Sequence, residues 1–506
     1  MLFTLASSLL YLRGWVKLGS AVFMVGTLIL FMRVAYSLPR LGGLYDVTVV
    51  QAVFVASLCV VWATAALHVL TMKNFSDVKS VLPAVAPPFY VLVLLAILFS
   101  SGTLHAVLID ACVIALVGII IASKGRRPHG LGRFVAAMLL PASLLIHTPS
   151  VIKAGLGVGS LKVIIPLLGY AVLAAAVPAH PWLLRVLTER DDVFTVAATV
   201  SVVYLGYFGL TLGLSEVADG AVLWAFSMLG FVTLFYASAR AFARRDLGGC
   251  AAYYVSATTG LLLSFTSVLI LLRVNAAVFT AAVLGAGSVM FMPAILPSTT
   301  HRLKLRVKHT LVSALPSVLA LLLASGGFPS VSIIGRASLA VKLSNLRGSA
   351  SVPVLGLLVL GVAMTSATVT NSLKFRVMRS QIVPALPLLV NASLSLILFY
   401  VLLRLLLGLP ALSVTQLTLW LLLMGFASGL SAWLTAGHGV LGGFLERVST
   451  RIPSTVVGLE RGFRCFAERV AELLEVIETE ERFLAALSLL VLLAAIVAVL
   501  LGGVSP

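Results

Sequence analysis

The chain has 506 residues, 60% of them hydrophobic and only 10% charged, with a formal net charge of +18 at pH 7. Soluble domains carry about 25% charged residues, so a soluble protein is excluded. Apolar runs of about 20 residues, the length that crosses a ~30 Å hydrocarbon core, recur from end to end and predict an all-α polytopic membrane protein.

The bases lie in short loops, where the positive-inside rule and anionic lipid heads account for them, so the charge does not point to nucleic acid. Cys59, Cys112, Cys250 and Cys465 show no CxxC spacing. They read as small buried apolar residues rather than a metal site or disulfide framework.

In chain order, residues 2–12 are too short for a typical span and lack a small-residue cleavage site, so they read as a short first helix rather than a signal peptide. Further spans are predicted at 18–39, 45–71, 82–101, 104–123, 132–148, 161–179, 193–213, 219–240, 251–272, 275–297, 308–345, 351–373, 382–407, 415–435 and 482–502. The count is about 14–16. The odd-to-even turns hold most of the bases, from Arg13 and Lys17 to Arg447, Arg451 and Arg461. This sidedness puts both termini outside; Arg40, Lys153, Lys162, Arg273 and Arg347 are exceptions. The run 308–345 would reach roughly 57 Å as one helix, and "SGGFPS" at 325–330, with Gly326 and Pro329, interrupts it. Broken helices at membrane depth occur where protein or water surrounds them, and they commonly build ion sites. Between the last two spans, Leu459, Phe463, Phe466, Val470, Leu473 and Ile477 recur at intervals of four and three. They predict an amphipathic helix lying on a membrane or a neighbouring subunit.

Five short patterns, weak singly, occur in order between residues 100 and 380. D-L-K-R-x-x-A-Y-S-S-I-S-x-x-G survives as Asp246, Leu247, Ala252, Tyr253 and Gly260; P-x-H-x-W-L as Pro178, His180, Trp182 and Leu183; K-M-G-x-Y-G as "YLGYFG" (204–209). H-A-x-F-K with L-x-A-G-S-V survives as "NAAVF" and "LGAGSV" (275–279, 284–289), and G-I-P-P-L-x-G-F-x-x-K as "GGFPSVSIIGR" (326–336). In these motifs the chain resembles the antiporter-like membrane subunits of respiratory complex I, cation/proton antiporter complexes and membrane-bound hydrogenases. The resemblance implies two inverted five-helix repeats with interrupted seventh and twelfth helices. It divides the chain into N-terminal helices (1–101), the antiporter-like core (102–380), additional helices (381–445), the surface helix (446–481) and a last span (482–506).

In that family a line of carboxylates, lysines and histidines relays protons across the membrane. Here the fifth-helix carboxylate is Asp110, and an acid amid apolar neighbours is a functional candidate. The family's lysines and histidine become Leu173, Tyr204, Asn275, Phe279 and Arg336. Arginine holds an anion but hardly releases a proton, whereas a tyrosine hydroxyl can continue a hydrogen-bonded chain. The ion-path candidates are therefore Asp110, Arg336, Tyr204, His180 and Asn275, with His180 either a proton inlet or structural; His68 and His147 read as structural. Asp246, Tyr253, Gly260, Pro178, Trp182, Gly326 and Pro329 carry the motifs, and Asp246 suits a helix N-terminus.

The resemblance implies a non-redox membrane-arm subunit in the cell membrane, moving protons or sodium or scaffolding subunits that do. Its partners would be other membrane subunits and lipids, and no cofactor fingerprint is present. An alternative is a cation/proton antiporter subunit outside any redox chain. A lipid-phosphate transferase is a third reading, with Glu189, Asp191 and Asp192 of "TERDD" holding Mg²⁺.

Overall fold

A computed structural model describes residues 2–41, 47–71, 82–100, 102–123, 130–147, 161–190, 192–242, 244, 246–273, 277–296, 330–344, 358–359, 361–362, 385–407, 419–423, 425 and 454–477. The expected break at 325–330, the spans at 351–373, 415–435 and 482–502, and Asn275, Gly326, Pro329 and Asp191 lie wholly or mostly outside the described residues.

The principal elements are helices: α1 (Leu2–Leu12), α2 (Val16–Ser37), α3 (Val47–Thr71), α4 (Leu82–Leu98), α5 (Gly102–Ala122), α6 (Leu131–Ile146), α7 (Leu161–Leu173) and α8 (Pro181–Glu189). They continue with α9 (Val193–Ser215), α10 (Gly220–Phe242), α11 (Leu247–Leu271), α12 (Ala277–Val289), α13 (Met292–Ile295), α14 (Ser332–Ser344), α15 (Ala385–Leu407) and α16 (Ser454–Ile477). Among the described residues there is no strand, and eight helices are long and apolar enough to cross a membrane. The chain is an all-α polytopic membrane protein. Shorter apolar helices replace some expected full-length spans, among them α4 with 17 residues and α6 with 16. Helix α1, at 11 residues, rises only ~16 Å. It folds back on α2, with Ser7 Oγ donating to the Gly19 carbonyl and the Tyr11 hydroxyl 2.7 Å from Ser20 Oγ.

Helix α9 is the hub. Every residue from Val193 to Leu210 is buried, and it packs on α3, α4, α5, α7, α8, α11, α12 and α13. In lipid, helices gain little from apolar burial against one another, so close packing through small residues matters more. Gly206, Gly209 and Gly213 follow at intervals of three and four, which puts them on one face. A β-carbon on Gly206 would collide with the Leu173 and Ala174 backbone, and one on Gly209 with the Tyr170 ring. The glycine face is what lets α7 end directly against α9. Gly260, carried by the longest motif, works likewise between α11 and α10, where a β-carbon would strike Leu234 N and the Gly230 carbonyl.

Polar bonds fix the register. The Trp62 indole of α3 donates to Ser201 Oγ of α9 at 2.9 Å, and Asn391 Nδ2 of α15 donates to Thr64 Oγ1 of α3 at 3.0 Å. Gly206→Ala is expected to cost about 1–3 kcal/mol by overpacking, read as a lower thermal midpoint of the purified protein in detergent. Gly458→Ala, where no atom lies within 4 Å of the added carbon, should not lower it. Equal midpoints for wild type and Gly206→Ala would contradict the close approach.

Candidate functional site

The span expected at 161–179 is interrupted. Helix α7 stops at Leu173, residues 174–180 run without regular helix, and α8 starts at Pro181. Ala175 takes the left-handed conformation (φ 58°) and the Val177–Pro178 bond is cis. Sequence pattern alone treats 161–179 as one span; the interruption was implied only by the family resemblance.

A helix that stops leaves its last carbonyls unsatisfied, and in hydrocarbon each such group costs several kcal/mol. Here backbone amides take up three of them, Ala174 N donating to the Tyr170 carbonyl, Ala176 N to Ala171 and Ala175 N to Val172, and neighbouring side chains add to these. The Trp182 indole donates to the Val172 carbonyl at 2.9 Å, and Thr259 Oγ1 of α11 donates to the Ala174 carbonyl at 2.5 Å. Trp182 is thus a cap that reaches back across the break. A second interruption separates α12 from α13 at Met290–Phe291. There the buried Tyr204 hydroxyl donates to the Ala286 carbonyl at 2.7 Å, and Asn391 Nδ2 to the Met290 carbonyl at 2.9 Å. Tyr204, expected in the ion path, has a carbonyl as its hydroxyl's partner.

Asp110 sits in α5 with a quarter of its side chain exposed, and its Oδ2 lies 2.5 Å from His147 Nε2. His147 caps the C-terminus of α6. His147, expected as a single structural histidine, is brought to the acid by the next helix of the hairpin. A search pairing each intramembrane ionisable group with those on the adjoining span would have found it. One turn before Asp110, the buried His105 holds the Ala96 carbonyl with Nδ1 at 2.8 Å and the Tyr170 hydroxyl with Nε2 at 3.0 Å. His105 and Tyr170 were not singled out from the sequence. They border a cavity of about 550 Å³ between α5, α7 and α9, with Lys162 and Glu216 on its wall.

His180, the last residue before α8, is fully buried. Its ring lies 5.2 Å from the Tyr253 centroid and 5.9 Å from that of Tyr236. Its Nε2 is 3.8 Å from Glu460 Oε1 on α16, and Glu460 also takes a short hydrogen bond from the Tyr236 hydroxyl. Asp246 is the N-cap of α11, its Oδ2 accepting from Gly249 N at 2.7 Å, and Arg244 pairs with it at 3.7 Å. Arg336 is buried on α14, which packs against α12 through the Thr280–Ser338 contact of 3.1 Å. Asp110, Tyr204 and His180 engage His147, Ala286 and Glu460 rather than one another.

The surface helix and the acidic turn lie at the periphery of the bundle. Of the predicted apolar stripe, Leu459, Phe463 and Phe466 are exposed, while Ala467 is buried and Glu460 partly buried. The helix meets the protein through the flank that carries Glu460 and Ala467. Cys465, expected to be buried, is exposed on this helix. In the acidic turn, Asp192 caps α9 through Thr195 N at 2.8 Å and Glu189 lies 3.9 Å from Arg185, so both carboxylates have protein partners.

The structure is similar to a chain of the Mrp complex from Dietzia sp., with TM-score 0.59 and 16% identity, over 100% of this chain and 62% of that one. It is also similar to a chain of respiratory complex I from Thermus thermophilus, with TM-score 0.51 and 16% identity, over 94% of this chain and 98% of that one. No protein-family model and no curated protein matches the sequence. The chain has the fold of these membrane-complex chains, in agreement with the resemblance carried by its motifs, and it spans 62% of the length of the Mrp-complex chain.

Thr259→Val keeps the shape of the side chain and removes the hydroxyl from the Ala174 carbonyl. The expected loss is about 1–3 kcal/mol, measured as the thermal midpoint in detergent; an unchanged midpoint would mean that the carbonyl is satisfied in another way.

Proposed function

We propose that the chain is a non-redox membrane-arm subunit of a complex-I-like or hydrogenase-like assembly in the cell membrane. It conducts protons, or sodium, along a path altered from the family's, or it scaffolds subunits that conduct. The observation that carries this reading is a crossing broken at residues 174–180, with its carbonyls sealed by Trp182 and Thr259. Non-helical backbone at membrane depth characterises ion-handling folds.

The remaining groups fit that role. Asp110 and His147 form a partly buried pair able to exchange a proton, and ionisable residues at membrane depth mark ion paths. The cavity beside His105 and Tyr170 supplies a wet approach from the side of Glu216. The permanent cation of Arg336 holds charge rather than passing protons. Basic turns put both termini outside. Partners are other membrane subunits; electron chemistry would belong to them, and this chain would need no cofactor. The exposed stripe of α16 rests on lipid or on a neighbouring subunit. A second reading, a cation/proton antiporter subunit outside a redox chain, is favoured by the higher of the two fold likenesses, that to the Mrp complex.

Isolating the chain from its native membrane and identifying what accompanies it separates the two: redox subunits support the first reading, and their absence beside other transporter subunits the second. Asp110→Asn is expected to lower ion-coupled flux in reconstituted vesicles by roughly tenfold or more, and unchanged flux would assign the Asp110–His147 pair to structure. Arg336→Lys keeps the charge and should leave assembly intact; loss of the assembled complex would show that the forked guanidinium geometry is required.

A further inference from the structure

We infer that the cavity between α5, α7 and α9 is the seat of one membrane phospholipid with a zwitterionic, primary-amine head, its phosphate held by Lys162 and its ammonium by Glu216. The inference needs only the membrane setting of the chain, not the translocation reading above.

The cavity, of about 550 Å³, is charged at its mouth and apolar along its walls. Helix α7 runs into the bilayer from Lys162 to Tyr170, and α9 runs back out from Phe208 to Glu216. Each therefore puts a charge at the mouth and an aromatic ring ~12 Å deeper, which is most of the ~15 Å apolar thickness of one leaflet. Between those levels the wall is Ile146, Val163, Leu167 and Leu212, a surface that suits an acyl chain.

The deep polar pair makes no demand on a ligand. The Ala96 carbonyl can only accept, so Nδ1 of the neutral His105 ring donates to it, and Nε2 accepts from the Tyr170 hydroxyl. Both ring nitrogens and the tyrosine O–H are thus used within the protein. The mouth is different. Lys162 is half-buried and Glu216 exposed, and among the described residues neither side chain is ion-paired.

Two unpaired charges of opposite sign at one mouth match a head that carries both signs. Lys162 is the second residue of α7, whose N-terminus favours an anion, and Glu216 follows the last residue of α9, whose C-terminus favours a cation. A primary ammonium also donates N–H hydrogen bonds to the carboxylate, which a quaternary ammonium does not. Outside the cavity, α5 and α7 expose Leu104, Val107 and Leu168, so the seat adjoins a face suited to bulk lipid. A seated lipid takes the place of water in the approach proposed above, so its occupancy sets how open that approach is.

The test incubates the assembly containing the full chain, purified from its native membrane, with phosphatidylethanolamine that carries a photoreactive diazirine on one acyl chain. Cross-links on this chain are located by peptide mass spectrometry. Labelling is expected at 163–170 and 208–213, above that on the exposed α10 residues Trp224, Met228 and Val232, which report bulk lipid. Lys162→Gln and Glu216→Gln should each lower the cavity labelling by roughly tenfold and leave α10 labelling unchanged, whereas Lys162→Arg should retain it. Unlabelled phosphatidylethanolamine should displace the probe roughly tenfold better than phosphatidylcholine, whose head has no N–H, or phosphatidylglycerol, which has no ammonium. Cavity labelling no higher than that on α10, or unmoved by both glutamine substitutions, overturns the inference. Equal displacement by the three lipids also overturns it, because the cavity is then a groove for any acyl chain.

Discussion

The structure depends on satisfying backbone carbonyls where helices stop inside the bilayer. Hydrocarbon offers no hydrogen-bond donors, so each interruption must bring its own. At the α7–α8 break they are the amides of Ala174, Ala175 and Ala176, joined by an indole and a threonine hydroxyl, Trp182 on Val172 and Thr259 on Ala174. At the α12–α13 break they are Tyr204 on Ala286 and Asn391 on Met290. These bonds tie α8, α9, α11 and α15 to the two interruptions. The same arithmetic explains the glycines of α9: only a residue without a β-carbon lets the end of α7 come close enough for the caps to reach.

Much of this was legible in the sequence, and unevenly so. Hydropathy alone gives the helical membrane class, because a window of 18–20 apolar residues needs no tertiary context to be read. The N-cap at Asp246 was also readable, since an aspartate before an apolar run carries its own local signal. The break at 174–180 was not visible from pattern, because "AAAVPAH" stays apolar up to Pro178 and reads as the end of the same span. Only motif resemblance implied it. Tyr204 illustrates the opposite limit: its place in the "YLGYFG" motif suggested a path residue, whereas its partner proves to be a carbonyl 82 positions away.

The candidate site was less legible than the fold for the same reason. Asp110 stands out as an isolated acid in an apolar run, but its partner His147 comes from the far end of the next helix, 37 positions on. Glu460 belongs to a helix whose obvious feature is its apolar stripe, and the contact that matters lies on the flank of that stripe, 224 positions from Tyr236. Charge and burial can be read locally; pairing across a bundle cannot. The titratable groups are dispersed into pairs, Asp110 with His147, His105 with Tyr170 and His180 with Glu460. Among the described residues they do not form the continuous line of carboxylates, lysines and histidines that the family resemblance implies.

The most direct test of the account is a density map of the chain within its native membrane assembly, at a resolution that shows side chains. The account predicts a helix ending at Leu173, irregular backbone through His180, and the Trp182 indole and Thr259 hydroxyl seated on the Val172 and Ala174 carbonyls. A regular helix running unbroken from 161 to 189 would contradict it.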